Sequence, residues 1–163
     1  MAVKPEYRLS TVLKMRERKK EAAEQFLAEC LKALRVEQDR LRDMENELER
    51  MIAKRNTKMR EYSEKAMRGE MVAQAVTSSN VYIERLKELE ESQKDAIEGQ
   101  KSVIVQKEEA VRGARKDLVD ATQDLKALEK HKEKWEDEVK REMQVKQDEA
   151  MDEIAQTIFL KNH

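Results

Sequence analysis

The stretch Leu27–Leu48, LAECLKALRVEQDRLRDMENEL, decides the fold. Leu27, Leu34, Leu41 and Leu48 recur at seven-residue steps. Leu31, Met44, Met51, Ile52, Met59 and Tyr62 fill three- and four-residue intervals between and beyond them. Apolar residues repeating this way line one stripe of a helix and form a heptad seam. Gln38, Glu45 and Arg55 occupy intervening positions too, so the seam is polar in places. Such residues weaken packing but fix register and partner choice.

Reading back toward the start, the periodicity begins near Tyr7 and Leu9, just after Pro5, the single proline. Proline suits the first turn of a helix or the residues before it. Reading forward, the pattern breaks once. Gly69 favours a helix end, and Thr77-Ser78-Ser79-Asn80 favours a helix start. The spacing predicts a first helix over about 6–68, a tip over about 69–79 and a second helix over about 80–160. Met71–Val76 within the tip reads as a short helix or an ordered turn.

In the second run Ile83, Ile97, Ile104, Val111, Leu118, Leu125 and Val139 share one heptad position, with Glu90 and Lys132 as interruptions. Leu86, Ala114, Ala121, Leu128 and Trp135 share the other, with Gln93, Gln100 and Lys107 among them. Gly99 and Gly113 fall inside this helix, each at a cost of about 1 kcal/mol relative to alanine.

A seam this long needs a second helix. Two helices joined by about ten residues run antiparallel, so the expected fold is all-α. It is a single coiled-coil domain over 1–163, a long two-helix antiparallel hairpin. Folding about residue 74 pairs Leu13 with Trp135, Leu27 with Ala121 and Leu34 with Ala114. At 1.5 Å per residue the arms span roughly 90 Å and 120 Å, leaving an overhang on the second. Pairing between chains is the rival arrangement.

Composition supports this reading and excludes others. Charged residues make up 42% of the 163 and aromatics 4%. That is the profile of a long helix rather than of a thick core. Thirty-four basic and 35 acidic residues alternate along the chain, giving a net charge of −1 and no basic stripe for nucleic acid. Cys30 is the only cysteine, so no internal disulfide forms. No run of about 18 apolar residues exists, so membrane insertion is not expected. The stretch Met1–Pro5 lacks a secretory apolar segment, and a cytoplasmic location is expected.

Chemistry is sparse. There is no glycine-rich phosphate loop. His131 lies among charged residues without a second histidine one turn away, and His163, the last residue, is expected to fray. Cys30 sits beside Leu27 and Leu31 as a small hydrophobe rather than a nucleophile. Carboxylate pairs such as Glu90-Glu91 have no cavity that would separate their pKa values. No enzymatic activity, cofactor or metal is expected.

Two stretches resemble the FliJ family, the stalk proteins of flagellar type III export, whose injectisome relatives are the YscO or SctO proteins. The first is Tyr7-Arg8-Leu9-Ser10-Thr11-Val12-Leu13-Lys14-Met15-Arg16-Glu17, followed by Glu21-Ala22-Ala23. The second is Lys146–Gln156, above all Met151-Asp152-Glu153-Ile154-Ala155-Gln156. The resemblance implies a fold similar to the γ-subunit stalk of rotary ATPases. It implies an open end seated in the pore of a hexameric, FliI-like export ATPase. Leu9, Leu13, Arg16, Met151, Asp152, Glu153 and Ala155 match that role. It also implies contact with the cytoplasmic domain of an FlhA-like export gate through Tyr82, Leu86, Leu89 and Gln93. Leu89 is larger than the family's small residue there, and Gln93 stands where histidine is common. Escort of export chaperones, and a peripheral place at the cytoplasmic face of the inner membrane through the apparatus, follow from the same resemblance. The alternatives are an injectisome stalk and a coiled-coil scaffold unrelated to export.

Overall fold

A computed structural model describes residues 4–162. The expectations that fall on 1–3 and on His163 lie outside the described residues. The described chain forms two helices, α1 (Ser10–Met67) and α2 (Ala73–Lys161), packed against each other as an all-α coiled-coil hairpin. It divides into two compact units, one drawn from both chain ends (up to Phe26 and from Arg115), the other Leu27–Ala114.

In the Leu27–Ala114 unit, α1 turns Leu27, Cys30, Leu34, Glu37, Leu41, Met44, Leu48, Met51 and Arg55 inward. This alternation of three and four is stricter than the expected one. Leu31 and Met59 are exposed, at 37% and 42%, and so are Gln38 and Glu45. Each is apolar or polar one residue off the seam, and Cys30 and Glu37 hold the place expected for Leu31 and Gln38. In α2, Ile83, Leu86, Ile97, Ile104, Val111 and Ala114 are buried, as their shared heptad positions predict.

Three polar contacts cross this seam. The Gln100 amide donates to the Glu37 carboxylate at 2.6 Å and to its backbone carbonyl at 3.0 Å. Gln93 donates to the Met44 carbonyl at 2.9 Å. Arg55 donates to Glu90 at 2.6 Å, where the Glu90 side chain is 5% exposed. The partner numbers fall along α2 as they rise along α1, so the helices run antiparallel.

Residues 68–72 join the helices. Gly69 adopts φ 70°, the left-handed turn that closes α1. Its N–H donates to Ala66 O at 3.1 Å, and the Glu70 N–H donates to Lys65 O at 3.0 Å. These two bonds satisfy carbonyls the helix end would leave open. The expected tip over 69–79 is too long, because α2 already starts at Ala73. Thr77 and Ser79, read as a helix start, lie inside α2. Their hydroxyls donate to the carbonyls of Ala73 and Ala75 at 3.2 and 2.8 Å, so they bond back within the helix instead of capping it.

In the unit of the two chain ends, Leu13 packs with Leu125 and Leu128, and Leu9 and Val12 lie against them. Tyr7 meets Trp135, ring centroids 5.2 Å apart, and its hydroxyl hydrogen-bonds His131 Nδ1. Arg16 donates to Asp124 O at 2.8 Å. Leu13 was expected against Trp135. The shorter connection slides the pairing by most of a heptad, so Tyr7 takes that place. Every described residue from Lys140 to Asn162 is exposed.

Candidate partner-binding surfaces

No cluster of three potential metal ligands occurs among the described residues. No described helix is long and apolar enough to cross a membrane. Near the tip, Lys58 is held above the ordinary lysine value by its hydrogen bond to Glu61, a shift that changes no charge near neutral pH.

The seven residues expected at the open end fall into two groups that the structure does not bring together. Leu13 is buried, Leu9 packs on its cluster, and Arg16 holds the Asp124 carbonyl. These three join α1 to α2. Met151, Asp152, Glu153 and Ala155 are exposed on α2 alone. They lie more than twenty residues beyond Leu128, about 35 Å along the helix.

They belong to an apolar surface of which the sequence reading named Met151 and Ile154 and passed over Met143, Ile158 and Leu160. Met143, Met151, Ile154, Ile158 and Leu160 are between 43% and 74% exposed. The signal was present. After Val139 the heptad positions pass to Glu142, Lys146, Glu149, Glu153 and Gln156. Apolar residues move instead to 143, 150, 151, 154 and 158, the 3.6-residue period of a single helix.

The four residues expected at the gate divide differently. Leu86 is buried in the seam, and Gln93 is tied to Met44 O. Tyr82 is half-buried. Leu89 is 48% exposed and lines a shallow groove with Glu47, Arg50, Met51 and Lys54. The part of that stripe open to a partner is therefore Tyr82 and Leu89.

The YscO-like protein family matches residues 4–163. The chain belongs to that family. Its fold is similar to that solved for a YscO homolog from Chlamydia trachomatis, with a TM-score of 0.79 over 94% of each chain at 21% identity. No curated protein matches it. The match upholds the type III secretion stalk family that the two end segments pointed to, though not FliJ in particular. In this YscO-like chain the exposed end of α2 carries Met143, Met151, Ile154, Ile158 and Leu160 uncovered.

Proposed function

We propose that this YscO-like chain is a non-enzymatic stalk component of a type III secretion apparatus. It binds a hexameric export ATPase through the exposed end of α2 and an export gate through the Tyr82–Leu89 face. It works in the cytoplasm, held at the inner membrane only through the apparatus, and chaperone escort is a secondary role. The observation that carries this reading is the family match over nearly the whole chain, together with an α2 end where Met151 and Ala155 face solvent. The YscO-like match favours an injectisome, whereas the opening and closing segments favour a flagellar apparatus.

Co-purification with the cognate export ATPase tests the reading, and the ATPase captured, injectisome or flagellar, decides between the two systems. Met151→Asp with Ala155→Glu should weaken the association by about tenfold while helicity is kept. Undiminished binding and ATPase stimulation would remove the α2 end from the interface. For the gate, Tyr82→Ala with Leu89→Ala is the informative pair, because Leu86 is core and its loss would destabilise the hairpin. Full retention of the gate domain in a pull-down by that variant would reject the face.

A further inference from the structure

The end of α2 has a chemistry of its own. Met143, Ala150, Ile154 and Ile158 fall at i, i+7, i+11 and i+15, with Met151 beside them. At 3.6 residues per turn these form one stripe. Asp148 borders the stripe on one side and Glu153 on the other. Between 143 and 158 there are four carboxylates, Asp148, Glu149, Asp152 and Glu153, against one basic residue, Lys146, which shares the Glu153 edge, and Gln147 is the one polar residue within the stripe. All of this is exposed.

A second copy of the chain is a poor occupant. An antiparallel pair that buries stripe against stripe sets Met143 opposite Ile158 and Ala150 opposite Met151. The same register sets Asp148 opposite Glu153, twice by symmetry. A parallel pair sets each carboxylate beside its own copy. Like charges facing across a helix pair are destabilising. A groove with basic rims has the complementary pattern.

We propose that α2 between Met143 and Ile158 docks alone, without α1, into an apolar groove on a partner whose two rims carry Lys or Arg. This is helix-in-groove recognition. It rests on the stalk reading above and narrows it to one helix, with Asp148 and Glu153 fixing the rotation of that helix in the groove.

The test uses the full chain and the cognate hexameric ATPase, with affinity measured by titration calorimetry at two salt concentrations. Ile154→Asp with Ile158→Asp should weaken binding by about tenfold or more. Asp148→Lys with Glu153→Lys should weaken it comparably at low salt, and wild-type affinity should fall as salt rises. Met15→Asp, on the exposed face of α1 (62%), should leave affinity within about twofold. The proposal is overturned if either α2 pair binds as wild type, or if Met15→Asp costs as much as they do. It is overturned too if wild type sediments as a dimer that Ile154→Asp with Ile158→Asp makes monomeric. Failure of wild type to bind the ATPase removes the stalk reading and this proposal together, whereas normal wild-type binding with insensitive α2 variants removes this proposal alone. Hydrogen exchange on the unmutated chain gives an independent readout. Added ATPase should slow exchange across 143–158, and slowing confined to the first turns of α1 would refute a lone helix.

Discussion

Glu90 is a carboxylate inside the seam, and among the described residues Arg55 is its cross-seam donor. Replacing Arg55 with alanine strands that carboxylate, a change that costs about 3 kcal/mol or more. Arg55→Met with Glu90→Leu should restore most of the loss, because a well-packed apolar pair replaces both charges. Urea unfolding of the single and double variants measures the difference. Gly99 and Gly113 behave in the opposite way. A methyl group added at either meets no atom within 4 Å, so each alanine substitution should stabilise by about 1 kcal/mol. Gly69, at positive φ, should lose about 1 kcal/mol on the same substitution. The sequence marked Arg55 and Glu90 each as a polar interruption, but did not join them. Their pairing depends on the length of the connection, which hydrophobic periodicity does not encode.

At the level of elements, α2 was more legible than α1. Both of its heptad positions were read as they stand, because isoleucine, valine, leucine and alanine recur there at seven-residue steps. In α1, Leu31 and Met59 are apolar yet face solvent, and they drew the stripe one residue aside. The start of α2 was missed because Thr77 and Ser79 resemble caps, while their hydroxyls return to carbonyls four residues back. Charge pairing also favours these helices. Glu37–Arg40, Asp39–Arg42, Glu47–Arg50, Glu84–Lys87, Glu91–Lys94 and Glu98–Lys101 all place the acid first, the better orientation against the helix dipole. Close approach makes the seam of α2 sensitive to added volume. Ala121 is 2% exposed, so Ala121→Leu should cost about 1–3 kcal/mol through overpacking. A lowered melting temperature by circular dichroism, with helicity intact at 25 °C, would register it.

For the molecule as a whole, stability and recognition reside in different residues. The packed layers between the helices end at Val139, and the candidate binding surface begins at Met143. A chain stopped after Lys140 removes, among the described residues, only exposed side chains, so its unfolding free energy should stay within about 0.5 kcal/mol of the full chain. Its affinity for the ATPase should fall to background. Comparing urea midpoints and ATPase titrations on that one truncation reads both quantities. An equal loss of stability would mean that the segment packs on the hairpin. The family and the hairpin were legible from the ends and the middle of the sequence respectively. The separation of Leu9, Leu13 and Arg16 from Met151 was legible in part, since the expected register set Leu13 opposite Trp135 with an overhang beyond it, and only the resemblance grouped both sets at the open end.

The exposed end of α2 also has a consequence in time. Past Val139 every described residue of the helix is exposed, and the paired part serves as its nucleus. Such a segment exchanges between helix and coil within about a microsecond. Lys140, Arg141 and Lys146 stand in that stretch, so limited trypsin should cut there first and leave the paired helices whole. Occupation by a partner would close those sites, and the rate of that first cut would then report on docking.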